Sequence, residues 1–414
     1  MPHQDRRRQP NYRPVLDCQW SLLLSGAMRL LHTSDWHLGR NLHREDLLPA
    51  QRAFLDHLVA TVRTERVDAV LVAGDVYDRA IPSLGAVELF DGILQQLAGL
   101  RVPVVLIAGN HDSARRLGIA ARLIEQAGVH LRTEVARCGE PVLLADEHGP
   151  VAVYGVPYLE PALARGELGA GTVSHAAVLG AAMERVRADL ATQPTGTRSV
   201  VLAHAFVVGG EVSDSERDIT VGGVPSVPAA VFEGVDYVAL GHLHGSQALG
   251  ERMRYSGSPL AYSFSEADHR KSMWLVDLGK DGELTTRRID CPVPRRLARI
   301  RGTLQTLLTD AALARHEDAW VQATITDTGR PERAMEQLRV RFPHALQLAF
   351  EPEGETGDGL PSYAARTRGR SDTDVALGFV RHVRGSDPDL AERELLRDAV
   401  ESVGAGSRGE GGEV

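Results

Sequence analysis

The chain has 414 residues, 43 % of them apolar, enough for one large domain with its own core and a smaller one beside it. No stretch reaches the ~20 apolar residues of a membrane span, and three cysteines (Cys18, Cys138, Cys291), odd in number and far apart, exclude a disulfide framework and fit a reducing cytoplasm. The formal charge is −9, with +2 in residues 1–27 and −6 in residues 351–414; the −5 left in the body excludes strong non-specific binding of a polyanion by charge alone.

Residues 1–27 carry Arg6-Arg7-Arg8 with Pro2, Pro10 and Pro14. They read as a disordered arm, or as a mis-assigned start ahead of Met28. The apolar patch at 20–24 is too short for a signal peptide, and Asp17 and Gln19 interrupt its approach. From Met28 to about Pro292, strands and helices alternate. Five short apolar runs each end in metal-ligand residue types. Residues 30–33 lead into Asp35-Trp36-His37, and 69–73 into Gly74-Asp75. Residues 102–108 lead into Gly109-Asn110-His111-Asp112, 199–203 into His204, and 235–240 into Gly241-His242-Leu243-His244. Between these runs, apolar spacing predicts helices over 51–65, 83–98 and 119–127, and further strands over 151–156 and 273–277. Residues 211–223, rich in Ser, Asp and Gly, read as a mobile loop at the rim of the site.

Pro292-Val293-Pro294 punctuates the chain. Beyond it, strands over 297–301, 320–325 and 345–350 and helices over 303–314 and 331–341 make a small α/β capping domain, residues 293–351. Residues 352–371 make a glycine-rich linker. Two amphipathic helices are expected in 372–404. Ala376, Phe379, Val380 and Val383 share a face of one, and Leu396, Ala399, Val400 and Val403 a face of the other. Residues 405–414 read as a disordered tail.

In an open α/β sheet, ligands bind beyond the carboxyl ends of the strands, so separate strands can deliver the five endings to one point. The donors are carboxylate oxygens, imidazole nitrogens and one amide oxygen. That set suits Mn²⁺, Fe²⁺ or Zn²⁺ better than Ca²⁺, and without thiolates it does not suit a structural zinc. Asp35 and His37, two apart, are expected to project to one side of an extended chain, as are His242 and His244. Asp75 is placed to bridge two ions. Two ions roughly 3.5–4 Å apart can clamp a phosphodiester and activate a water for in-line displacement. His111, beside the ligand candidate Asn110, is the candidate general acid. Asp112 is open to two readings, orienting His111 or capping a helix. Asp78 and Arg79 can touch a phosphate or pair within their own loop.

The motifs D-x-H, G-D, G-N-H-D, H and G-H-x-H resemble those of the calcineurin-like metallophosphoesterases. The wording of residues 31–39, 73–79, 107–113 and 255–259 is similar, more closely still, to SbcD-type nuclease subunits of bacterial SbcCD complexes. The resemblance runs from about Met28 to at least Lys280. It implies an α/β fold, a metallophosphoesterase β-sandwich flanked by helices over 28–292, with the capping domain and C-terminal helices beyond. It implies one ion held by Asp35, His37, Asp75 and His244 and another by Asp75, Asn110, His204 and His242, with His111 the catalytic non-ligand. The two divalent ions are expected to be Mn²⁺. The implied activity is ATP-dependent double-strand exonuclease and single-strand endonuclease action at DNA ends and hairpins, in repair, recombination and replication. The implied partners are DNA, an SbcC-like ATPase and a second copy of the chain, within a heterotetramer in the nucleoid-bearing cytoplasm and away from any membrane. The residues alone reach only a binuclear metallophosphoesterase with a small cap. An enzyme of small phosphoesters or cyclic nucleotides, and a non-catalytic tether of DNA ends, stand as alternatives.

Overall fold

The computed structural model describes residues 26–214, 226–353, 370–384 and 386–406. The expected arm before residue 26, most of the 211–223 loop, linker residues 354–369 and the tail from 407 lie outside the described residues.

Two six-stranded sheets stack face to face. The first runs, in spatial order, Leu284–Asp290, Ser272–Leu278, Met28–Thr33, Ala69–Ala73, Val104–Ile107 and Val129–Arg132. Its last four strands are parallel, and the first two join antiparallel. The second runs Gln247–Leu249, Met253–Tyr255, Tyr237–Gly241, Arg198–His204, Gly149–Val156 and Val142–Asp146, with a parallel centre and antiparallel edges.

Alternation along the strands explains the layers. Leu30, Leu71, Val105 and Ile107 share one buried core with Val151, Val153, Val200 and Leu202 between the sheets. The intervening Leu31, Val70, Val72 and Leu106 face outward, onto Phe54, Leu58, Phe90 and Ile93 of helices Leu48–Thr64 and Leu84–Leu100. Tyr154, Val201 and Ala203 face the other way, onto Val178 and Met183 of helix His175–Leu190. Strands covered on both faces read as unbroken apolar runs. Each fully buried Val or Leu contributes about 1.5–3 kcal/mol, so the strand ends are held on a stiff frame. Buried polar contacts also tie the sheets together. His32 Nδ1 lies 2.8 Å from Tyr237 Oη, and Nε2 lies 3.2 Å from the Leu240 carbonyl.

Two predicted helices are broken. Residues 119–127 form no single helix: turns Ala114–Leu117 and Ala121–Ile124 flank Ala120, whose φ is 60°, and a 3-10 turn Glu125–Ala127 follows. A Cβ at Gly118, where the first turn ends, would overlap Thr133 Oγ1, so only glycine fits there. Residues 303–314 divide at Asp310, which is extended and whose carboxylate accepts from Ala312 N at 2.9 Å, starting a 3-10 turn. Asp competes with helix in this way because its side chain bonds nearby backbone.

Leu297–Gly302, Trp320–Ile325 and Ala345–Phe350 form a parallel three-stranded sheet, with Ala334–Arg341 packed on it around Ile300, Val321, Leu338 and Phe342. Leu297, Trp320 and Leu346 meet the sandwich at Leu42, Leu47, Leu260 and Tyr262. A second compact unit begins at Pro352. Its helices are Asp372–Arg384 and Leu390–Gly406, the latter running past residue 404, and Arg384 holds Glu392 through bonds of 2.6 and 2.7 Å. Among the described residues no helix is long and apolar enough to cross a membrane.

Candidate metal centre

Three of the five strand endings leave the sandwich through left-handed backbone. Asp35, His37, Asp75 and His242 have φ of 52, 44, 50 and 106°. Residues other than glycine rarely occupy that region, and where they do they cluster at functional sites. The expectation that Asp35 and His37 share a side of an extended chain is therefore corrected. The chain coils after Thr33, held by bonds of 3.0 Å from Asp35 N to the Gly74 carbonyl and from His37 N to the Asp75 carbonyl. That coil turns both side chains inward. Gly74 and Gly109 stand where two endings touch. A Cβ on Gly109 would overlap the Asp75 carboxylate, and one on Gly74 would overlap the His204 ring.

All seven ligand candidates converge. Donor atoms of Asp35, His37 and His244 lie within 4.8 Å of one another, as do those of Asp35, Asp75 and His204. His37 Nε2 is 3.0 Å from His244 Nε2. Asn110 Oδ1 is 2.9 Å from His204 Nε2 and 3.3 Å from His242 Nδ1. Between the two sets lies Asp75: its Oδ2 is 3.6 Å from His37 Nε2 and 3.5 Å from His204 Nε2. Its Oδ1 accepts from His111 N at 2.8 Å. His242 and His244, although two apart, turn to different sets.

The imidazoles of His37, His204, His242 and His244 are buried. Burial, reinforced by neighbouring rings, holds His37 and His242 well below the ordinary histidine value, and burial lowers His204. His204 Nδ1 donates to the Ala73 carbonyl at 2.9 Å, which leaves Nε2 a bare acceptor. That acceptor is aimed at two others, Asn110 Oδ1 and Asp75 Oδ2. Acceptors that converge on one another without hydrogens are repulsive unless a cation lies between them. Two nitrogens 2.0–2.1 Å from one ion stand roughly 3–3.4 Å apart, and the 3.0 Å between His37 and His244 agrees. The donor set fits a pair of divalent ions.

His111 borders the same centre, its ring edge-on to that of His37 at 4.6 Å. Its Nδ1 lies 2.8 Å from the Asp78 carbonyl. Of the two readings open for Asp112, orienting His111 or capping a helix, its hydrogen bonds match neither. The Asp112 carboxylate accepts instead from Val76 N at 3.1 Å and from Tyr77 N and Gly109 N at 2.9 Å, pinning together the loops that carry Asp75 and Asn110. Three converging backbone donors outweigh one imidazole. Burial, then the Asp75 charge, raises the Asp112 carboxyl above its usual range. Asp78 pairs within the loops, 3.6 Å from both Arg40 Nη1 and Arg79 Nε.

Sequence reasoning missed several supporting residues. Ser34 Oγ donates to Asp35 and lies 2.7 Å from Ser256 Oγ. Gln51 Nε2 donates to the His37 carbonyl at 2.7 Å, and a glutamine on the buried face of a helix was a usable signal. Glu266 faces His244 Nδ1 at 3.3 Å and bonds Lys271, with no local signal for either residue. Burial pushes the Glu266 carboxyl up, but the Lys271 charge and hydrogen bonds from His244 and Lys271 outweigh it and hold it well below the carboxylate range.

A family model described as calcineurin-like phosphoesterase matches residues 28–246, more than half of the chain and all seven converging donors. The chain belongs to the calcineurin-like phosphoesterase family. A second model, SbcD_C, described as type 5 capsule protein repressor C-terminal domain, matches residues 293–384. Among solved structures, TT1561 of Thermus thermophilus is similar at 14 % identity, over 63 % of this chain and 99 % of that one, with a TM-score of 0.38. A dimetal phosphatase from Danio rerio is similar at 14 % identity, over 65 % of this chain and 100 % of that one, with a TM-score of 0.34. An archaeal phosphodiesterase is similar at 12 % identity, over 63 % of this chain and 100 % of that one, with a TM-score of 0.28. As a calcineurin-like phosphoesterase, this protein is a metal-dependent phosphoester hydrolase by family, and its His/Asp cluster is compatible with a binuclear centre.

Proposed function

We propose that this phosphoesterase cleaves DNA, as the nuclease subunit of an SbcCD-type complex. One observation carries the phosphodiesterase part: two donor sets share the Asp75 carboxylate, with His111 beside them. In this reading Asp35, His37, Asp75 and His244 hold one divalent ion, and Asp75, Asn110, His204 and His242 hold the other. Mn²⁺ is the ion we favour. When bound there, two such ions would neutralise the phosphodiester and supply an activated water. His111, with Nδ1 on the Asp78 carbonyl, keeps Nε2 to hold the proton that the leaving oxygen takes. Asp112 acts at one remove, by holding the loops of Asp75 and Asn110.

The DNA part is supported by the SbcD_C match that follows the phosphoesterase match in the same chain. An enzyme of small phosphoesters has no evident use for that domain or for the helices beyond it. With two divalent ions the −5 body comes close to neutral, so we assign part of the DNA grip to an SbcC-like ATPase. Helices Asp372–Arg384 and Leu390–Gly406 are its proposed dock, and Phe379, Leu390 and Leu395 there are 53, 83 and 69 % exposed. A second copy would pair through Leu84, Ile119 and Leu123, all 68–74 % exposed. Arg116 Nη1 bonds the Ala80 carbonyl at 2.9 Å and keeps those two segments adjacent. The site of action would be the nucleoid in the cytoplasm.

The test is cleavage of end-labelled duplex and hairpin DNA with Mn²⁺, with and without the ATPase and ATP, beside an aryl phosphodiester. We expect hairpin cleavage by the chain alone and duplex-end processing only with the ATPase and ATP. Hydrolysis of the aryl ester without any DNA cleavage would overturn the DNA reading in favour of a small-phosphoester enzyme.

A further inference from the structure

Behind His244 lies a buried ion pair that the proposed chemistry does not use. Glu266, at the end of the turn Phe264–Glu266, is 1 % exposed, and Lys271, just before strand Ser272–Leu278, is 4 % exposed. Lys271 Nζ donates to Glu266 Oε2, to Ser258 Oγ at 2.9 Å and to the His244 carbonyl at 3.0 Å. All three ammonium protons therefore have acceptors. Glu266 Oε1 accepts from Tyr262 N at 3.3 Å and faces His244 Nδ1 at the same distance.

A buried ion pair is weak grounds for stability, because desolvation offsets the attraction and an apolar pair of similar volume often does as well. The geometry supplies another reason for it. Both members grip His244, one at the backbone carbonyl and one at the ring. A carboxylate behind an imidazole fixes its rotation and tautomer and makes the opposite nitrogen a stronger donor. Among the described residues, the counterpart in the other set has no carboxylate behind it: His204 Nδ1 meets the Ala73 carbonyl, a neutral acceptor. The remaining members of that set, Asn110 and His242, are neutral donors, and its carboxylate, Asp75, is shared.

We infer that Glu266 and Lys271 are positioning residues that strengthen the His244 half of the centre, so that this half binds its cation more tightly than the half formed by Asn110, His204 and His242. The inference rests on the two-ion reading above and adds which half fills first and what makes it so.

Mn²⁺ binding to the full chain, followed by calorimetry and by electron paramagnetic resonance of the free ion, tests it without any assay of activity. The unaltered protein should show one tight and one weaker site. Glu266→Gln with Lys271→Met removes both charges at nearly constant volume. It should leave the circular dichroism unchanged and weaken only the tight site, by about 10–100-fold. Glu266→Asp keeps the charge and the Lys271 partner but withdraws from His244, and should show a smaller loss at the same site. His204→Ala should remove the weaker site and spare the tight one. Affinities within threefold of the unaltered protein in the folded double variant, or in Glu266→Asp if the double variant does not fold, would overturn the inference. So would two equal sites in the unaltered protein. An unaltered protein that binds one ion or none would instead overturn the two-ion reading, so the two failures are distinguishable.

Discussion

Asp112→Ala removes the acceptor of three backbone N–H groups, those of Val76, Tyr77 and Gly109, at 3.1, 2.9 and 2.9 Å. A hydrogen bond to a charged acceptor contributes ~1.5–3 kcal/mol, and a buried donor left bare costs ~1–3 kcal/mol. Asp112 is only partly buried, so water reaches some of the gap. We expect a loss of about 2–4 kcal/mol, near the upper end for one substitution. The loops it ties carry Asp75 and Asn110, so metal occupancy should fall with stability. Asp112→Asn keeps one acceptor oxygen and the shape, and should lose roughly half as much. Guanidinium unfolding in chelator measures the stability, and elemental analysis after dialysis against Mn²⁺ measures the occupancy. Had Asp112 acted through the His111 ring, the variant would stay stable and loaded and lose only proton donation. A stable, fully loaded Asp112→Ala with an altered pH–rate profile would refute the loop-pinning argument.

His111→Ala should lower DNA cleavage by about 10²–10⁴ while two Mn²⁺ still bind; near-normal cleavage would remove it from the chemistry. Burial lowers His32 to about 3, and lowers His37, His204 and His242 below the ordinary value, so below pH ~6.5 the unfolded chain binds more protons than the folded one. Their contribution to stability is therefore present above pH ~6.5 and is lost as the pH falls below it. The guanidinium midpoint of the metal-free protein should drop between pH 7 and pH 5, and a rise would contradict the buried neutral state. Leu84→Glu with Leu123→Glu should convert a dimer to a monomer by light scattering, and an unaltered protein that is monomeric at micromolar concentration would refute pairing through this face.

Five strand endings and their donors were legible in the sequence because they are local. An apolar run and a ligand residue follow one another within about ten positions, with a glycine between them in three of the five (Gly74, Gly109 and Gly241), and the sandwich brings the strand ends of both sheets together. The glycines in G-D and G-N-H-D were legible as motif letters, but their reason was not. Only the contact between two endings shows that a Cβ at Gly109 would occupy the place of the Asp75 carboxylate. The division of donors into two sets was likewise a tertiary decision. His242 and His244 share a motif and an apparent side, yet the left-handed turn at His242 sends them to Asn110 and His37 respectively. Asp112 shows the same limit. Its neighbour in sequence is His111, but two of its three partners lie 35 and 36 residues away. Glu266 and Lys271 are common surface types whose burial behind His244 follows from where the antiparallel strand Ser272–Leu278 enters the sheet. Residue type and strand period are short-range properties of a chain, and they nominate the donors. Which donor faces which, and which carboxylate stands behind which ring, depends on long-range packing that fixes the strand ends against one another.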